Sequence, residues 1–246
     1  MKAPYDDYAN EYLQATDSDF RRDVIDYSVH EAVGDVRGLA VLDLGCGDGR
    51  VGRLLVDRGA GRVVGVDQSE EMLLLAETHA GDRDRLTYLR HHAHELPDLG
   101  GFDLVVAVNM LHYARTEDEL ARIYQRAAAH LPPGGRFIAV LNDAHYDPDG
   151  PSIARYGFVI HQLGGPRHNG SELHQQFVDG DRVVVEVRNY HWLRETHENL
   201  LQKAGFAHIE WTPLTASPDS AARCGDGYYD GYLANPHLTM LRATLR

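Results

Sequence analysis

Val41-Leu42-Asp43-Leu44-Gly45-Cys46-Gly47-Asp48-Gly49-Arg50, answered downstream by Gly65-Val66-Asp67, decides how this chain is read. LAVLDL at 39–44 is a run with few polar breaks, as expected of a strand covered on both faces. A glycine-rich turn follows, and 50–58 reads as a helix. Working outward, RVVGVD (62–67), LTYLR (86–90), FDLVVAV (102–108) and GRFIAVL (135–141) read as further strands. Helices are expected at 69–79 and at 117–131, the latter ended by Pro132-Pro133-Gly134-Gly135. Strand and helix in alternation imply parallel strands joined by right-handed crossovers, hence a doubly wound α/β sheet.

The flanks read differently. Residues 1–35 suggest one or two amphipathic helices, with Tyr5, Tyr8 and Tyr12 at helical spacing. Residues 142–170 lack periodicity and read as a lid or insertion. ELHQQFV and RVVVEVRNY flank Val178-Asp179-Gly180-Asp181, where Asp-Gly marks a hairpin turn. A helix at 193–204 stops at Gly205, and 207–211 and 237–245 look like closing strands. With no internal repeat and no linker, 246 residues fit one domain with inserts.

Composition narrows the function. The charge of 24 − 37 = −13 disfavours non-specific nucleic-acid binding, which depends on cationic surface. Two lysines, Lys2 and Lys203, leave few candidates for Schiff-base chemistry. Cys46 and Cys224 cannot build a disulfide framework, and no GxSxG elbow occurs. No apolar run approaches a membrane span, and the start lacks a secretory stretch, so a cytoplasmic protein without membrane partners is expected.

A glycine-rich turn after the first strand lets a ligand approach backbone near a helix N-terminus. Dinucleotide sites want GxGxxG; here the spacing is GxGxG, with Arg50 at the third glycine's place. Asp43 just before the turn would repel phosphate, while Asp67 at the end of the second strand suits two ribose hydroxyls. A nucleoside carrying positive charge satisfies both, and S-adenosyl-L-methionine (SAM) is the obvious one.

These residues resemble those of class I SAM-dependent methyltransferases, over about Val41 to Val140 with continuations at both ends. The resemblance implies a Rossmann-like, seven-stranded sheet: a helical cap at 1–35, a SAM-binding core at 39–141, a lid and hairpin at 142–192, and a C-terminal helix with closing strands at 193–246. Asp43, Gly45, Gly47 and Gly49 resemble the family's first motif, and Asp67 its ribose-binding acid. Gln68 and Met72 would then border the adenine. His91-His92-Ala93-His94-Glu95-Leu96-Pro97 resembles the third-strand segment, with His92 in place of the usual acid and the Ala93 N–H still able to contact the ring. Asn109-Met110-Leu111-His112 resembles the segment lining the methionine, and Leu131-Pro132-Pro133-Gly134-Gly135 the turn before the fifth strand. Tyr5 to Tyr12 resembles the leading helix that closes over the cofactor. Tyr12 is the expected cofactor contact there, and Arg22, or Arg21, the partner of the methionine carboxylate. Gly34 to Gly38, the hairpin and Tyr190-His191-Trp192 also look like the toxoflavin-type azapteridine N-methyltransferases of antibiotic biosynthesis.

The expected acceptor is therefore a small planar molecule, heteroaromatic or phenolic, handled by a monomer or homodimer. His191 is the first choice for a base or acceptor contact and His112 the second; Tyr146, Phe158, His161 and Trp192 form either an aromatic slot or the core of the insert. His91, with His92, His94 and Glu95, is not expected to hold a metal, because alternation along a strand would turn it away. Asn109 is neither the acid of metal-dependent catechol O-methyltransferases nor followed by the Pro-Pro-aromatic sequence of base and amide methyltransferases. C-methylation of a quinone or lipid precursor, a SAM-binding module without chemistry, and an NAD-dependent oxidoreductase are the alternatives.

Overall fold

A computed structural model describes residues 8–81, 83–162 and 166–246. Strands β1 (Ala40–Leu44), β2 (Arg62–Asp67), β3 (Leu86–Arg90), β4 (Leu104–Val108) and β5 (Arg136–Asn142) pair in parallel. Strand β10 (Leu238–Leu245) closes the sheet antiparallel to both β5 and β9 (Phe206–Pro213). The order β3-β2-β1-β4-β5-β10-β9 reverses between β1 and β4, and the crevice at such a switch point is where open α/β sheets bind ligands.

Alternation along the strands feeds two cores. Val41, Leu104 and Val106 pack with Val51 and Leu55 of α3 (Arg50–Asp57) and with Val24 and Val29 of the N-terminal segment. Leu42, Leu44, Val105 and Ala107 point the other way, against Leu120 and Ile123 of α5 (Glu117–Ala129) and Leu200 of α6 (Arg194–Lys203). Two buried faces explain why β4 reads as LVVAV with no polar residue. Between β2 and β3 runs α4 (Glu70–Ala80), started by Ser69, whose hydroxyl accepts from Met72 N at 3.2 Å. Thr116 caps α5 in the same way, accepting from Glu119 N at 3.1 Å.

Two expectations about the flanks change. The N-terminal cover is α1 (Ala9–Thr16), a π-type turn at Arg21–Asp26 and α2 (Tyr27–Val33). Residues 142–170 are not all irregular, because β6 (Phe158–Gln162) adds a third strand to the hairpin of β7 (Ser171–Asp179) and β8 (Arg182–His191). At five residues behind Gly157, β6 is too short to show a period. Its Phe158 is buried beside Phe177 of β7, with ring centroids 5.5 Å apart, which holds the small sheet on the first core. The loop before β10 also carries two short helices, α7 (Ser220–Cys224) and α8 (Asp230–Ala234). Among the described residues no helix is long and apolar enough to cross a membrane.

Four of the five buried histidines are held uncharged by their burial. Burial pushes His112, His197 and His237 down to about 3 and His191 to about 4, so all four are neutral at pH 7. The Tyr124 hydroxyl meets His197 Nδ1 at 2.6 Å, both groups fully enclosed. The unfolded chain binds protons on these rings below pH 6.5 while the folded chain does not, so their contribution to stability is lost as pH falls from 6.5 toward 3. At pH 5 this costs about 2 kcal/mol for each histidine held near 3. Buried Asp43, raised to about 7, opposes the trend, since its folded form holds a proton that the unfolded form releases above about 4. Three to four imidazoles outweigh one carboxyl. Urea unfolding of the ligand-free protein should therefore show falling stability from pH 7 to 5; a flat or rising profile would mean that these rings protonate inside the fold.

Candidate active site

The chain between β1 and α3 turns within a few residues. Gly45 N and Cys46 N both donate to Val66 O, at 2.7 and 3.0 Å, so the turn is stitched to β2. A side chain at Gly45 would lie 2.5 Å from Met110 Cβ, and one at Gly49 would overlap the Tyr88 hydroxyl. Gly47 differs. Its φ of +54° suits glycine, yet a Cβ there would meet nothing within 4 Å, because it opens on a cavity. Gly45 and Gly47 border that cavity, whereas Gly49, expected at the cofactor, does not: its bare Cα makes room for Tyr88.

The two acids hold different posts. Asp67 Oδ2 accepts from Gly47 N at 2.9 Å and Oδ1 from Ser69 N at 2.9 Å, joining the glycine turn to the start of α4. Asp43 is 1% exposed, and its Oδ2 has no hydrogen-bond partner among the described residues. Burial first, and the like charge of Asp67 second, raise its carboxyl to about 7, with Arg21 opposing. An orphaned buried carboxylate oxygen calls for a donor or a cation.

The cavity has a volume of about 760 Å³ and lies at the C-terminal ends of β1, β2 and β4. Gln68, Met72, His92 and Ala93 border one side and Asn109 and Met110 another, as expected for a bound nucleoside. Asn109 takes a left-handed φ of 56°, and its Oδ1 is buried without a partner among the described residues. Tyr8 and Tyr12 close the cavity from the N-terminal cover. Tyr5 lies outside the described residues. Tyr12 also packs edge-on against Phe177, at 5.1 Å between centroids, which fastens α1 to the small sheet.

Several expected contacts move. Arg22 is not at the cavity: it is exposed and pairs with Asp19 at 2.5 Å and Asp23 at 3.2 Å. Arg21 lines the cavity instead, anchored by its Nε on Asp26 Oδ1 at 3.1 Å. His191 is also absent from the cavity wall. Alternation that brings Tyr190 of β8 to the cavity turns His191 into the interior, 2% exposed. His112 is buried behind the wall, with Nδ1 unpartnered among the described residues. His91, expected to point away, borders the cavity with His92 and His94, because β3 ends at Arg90 and strand alternation stops there. Among the described residues no group of three or more His, Cys, Asp or Glu is arranged to hold a metal ion. The aromatic slot is core. Phe158 packs on Phe20, Tyr146 and Trp192 are buried, Trp192 Nε1 donates to Ala114 O at 3.1 Å, and His161 is exposed on Gln176.

Other residues at the wall were not singled out from the sequence. Tyr113, Arg115 and Glu119 come from the turn and helix after β4, and Glu186, Arg188 and Tyr190 from β8. For the β8 residues the signal was the polar phase of RVVVEVRNY, in which Glu186 and Arg188 alternate with Val185 and Val187.

Known proteins resemble this chain over the same region. A family model described as a methyltransferase domain matches residues 41–135. A ubiquinone biosynthesis O-methyltransferase of Vibrio parahaemolyticus is 33% identical, over 78% of this chain and 76% of its own length. Its namesake in Leptothrix cholodnii is 27% identical over 76% and 74%. Among solved structures, a SAM-dependent methyltransferase from Mesorhizobium loti superposes with a TM-score of 0.65 at 24% identity, over 94% of this chain and 99% of that one. Identity of 33% sustained over three quarters of both lengths is a mark of common descent, and the chain belongs to the class I SAM-dependent methyltransferases.

Proposed function

We propose that the protein methylates a small planar acceptor, at a phenol-like hydroxyl. The observation that carries this reading is the make-up of one cavity lining: the glycine turn with its acids, together with Tyr8, Tyr12, Tyr113 and Tyr190. Aromatic rings offer flat apolar area with hydroxyls at their edges, which suits a flat acceptor with polar substituents. The curated relatives support oxygen as the atom attacked, since their names specify O-methylation in ubiquinone biosynthesis. The resemblance to azapteridine methyltransferases favours a ring nitrogen, and the acceptor experiment below separates the two.

The residues fit the cofactor. Asp43 Oδ2, without a hydrogen-bond partner among the described residues, suits a cationic group, the Asp67 carboxylate at the cavity wall suits ribose hydroxyls, and Arg21 can face a carboxylate. Met72 and the Ala93 backbone can bracket the adenine, and Gly47 lets the ligand lie against bare backbone. SAM supplies an electrophilic methyl group on a sulfonium. What the chain then contributes is alignment of the acceptor with that methyl and exclusion of water, which in favourable cases supplies about 7–11 kcal/mol. Tyr8 and Tyr12 cover the cavity from α1 and its cap, and Tyr190 and Arg188 do so from β8, so both covers must be in place before transfer.

Three outcomes are expected. Asp67→Asn keeps one acceptor oxygen for the backbone and loses the charge, so SAM binding by calorimetry should weaken by about 1.5–3 kcal/mol; unchanged affinity would place the ribose elsewhere. Asp43 must ionise to meet a cation, so SAM should bind more tightly as pH rises from 5.5 to 7.5, and the slope should vanish in Asp43→Asn. A slope that survives in Asp43→Asn would assign it to another group. With SAM labelled at the methyl, phenols should take up label at oxygen; uptake only by ring nitrogens would replace the phenolic reading, and tight binding without uptake by either would leave a SAM-binding module.

A further inference from the structure

Behind the main cavity lies a second, smaller chamber of about 20 Å³, between the N-terminal cover, the turn after β4 and the three-stranded sheet. Tyr12, Arg21, Asn109 and Tyr113 border both spaces, so the chamber adjoins the main cavity through a shared wall. Its lining includes His112 and His237, which are 5% and 1% exposed. Nδ1 of His112, both ring nitrogens of His237 and Oδ1 of Asn109 have no hydrogen-bond partner among the described residues. Four buried polar atoms left unpaired around one space are unusual, because each costs about 1–3 kcal/mol in desolvation.

Phe158 of the lining, with Phe20 and Tyr232 packed against His237 from outside the chamber, keeps these groups in place and keeps bulk water out. Phe158 lies 4.7 Å from the His237 ring, Phe20 stacks on it at 6.2 Å, and Tyr232 meets it edge-on at 5.6 Å. Burial holds both imidazoles neutral, His112 adding to the depression at His237, so each ring offers one donor and one acceptor without charge. Among the described residues that line the chamber Arg21 is the one charged side chain and is held on Asp26, so the two histidines add no charge for a charged substituent to meet. A neutral one of one or two heavy atoms matches the volume, which is that of about one water.

We infer that the His112–His237 chamber is a specificity subsite of the acceptor site, taking one small uncharged hydrogen-bonding substituent, a hydroxyl or carbonyl, of a planar acceptor. This rests on the methyltransferase reading of the main cavity and adds what the far side of the acceptor must carry. A subsite whose buried groups are satisfied only by a substituent rejects the analogue that lacks it far more strongly than an apolar pocket rejects a missing methylene. His112 and His237 act here as specificity residues, with no proton transferred.

The test uses the full chain loaded with S-adenosylhomocysteine. Catechol and phenol, which differ by one hydroxyl, are titrated into it by calorimetry, and the catechol complex is crystallised. Catechol should bind at least tenfold more tightly than phenol, with one hydroxyl within hydrogen-bond distance of His112 Nδ1 or a His237 nitrogen. In His237→Leu the preference should collapse toward unity while affinity for S-adenosylhomocysteine stays within twofold; His237→Gln, which restores a donor and an acceptor, should recover part of it. Equal binding of the two probes, no binding of either, or a crystal with ordered water in the chamber and catechol elsewhere overturns the subsite and leaves the cofactor reading intact. Failure to bind S-adenosylhomocysteine would instead sink the cofactor reading, and the subsite with it.

Discussion

Everything at this site is arranged around the carboxylate of Asp67. One of its oxygens holds the backbone of Gly47 and the other that of Ser69, so a single side chain at the end of β2 fixes both the glycine turn and the start of α4. Bonds from backbone N–H groups to an ionised acceptor are among the stronger ones in proteins. They set the Cys46–Asp48 backbone against β2, with the paired bonds from Gly45 and Cys46 to Val66 completing the clasp. Without it, the position at which a ligand meets bare backbone would drift on the scale of the contacts it must make.

Around that clasp the charges are unbalanced by design of the fold. Asp43, Asp48 and Asp67 face one cavity, while Arg21 is tied to Asp26 and Arg53 to Asp48. Asp43 sits deepest and answers by holding its proton near neutrality. Such a site is under tension until a cation arrives, which couples ligand charge to the ionisation of the wall. The covers work by other means. Tyr12 against Phe177 links α1 to the small sheet, so the two halves of the lid lean on each other through an apolar contact.

Much of this was legible in the sequence, and the part that was not has identifiable causes. Continuous apolar runs at β1, β2, β4 and β5 announced strands covered on both faces, and the structure gives each run two cores to serve. Gly205 marked a helix end through stop chemistry that is local by nature. Strand β6 escaped because five residues behind a glycine carry no period. Of Arg22 and Arg21, both offered by the sequence, it is Arg21 that lines the cavity while Arg22 is exposed, in a π-type turn whose phase spacing alone does not reveal. His191 and Tyr190 are adjacent in sequence and opposite in space; which of the two faces the cavity depends on how the small sheet docks, a tertiary fact. Gly49 read as a ligand-facing glycine, yet it is the hydroxyl of Tyr88, 39 residues downstream, that requires it.

Tyr88 has a wider reach than that one contact. Its ring occupies the space that side chains at Gly49 and Gly65 would need, with a Cβ at Gly65 falling 2.7 Å from Cδ1. The three positions, on separate elements, therefore form one mechanical unit that cannot drift piecemeal through evolution. A lineage that acquires alanine at 65 must first shrink the residue at 88, and one that shrinks 88 opens a void beneath the first loop that bulk at 65 can refill, whereas the φ of +77° at 49 still favours glycine there. Covariation between 65 and 88, beside a retained glycine at 49, is the signature this packing would leave in descendants of the chain.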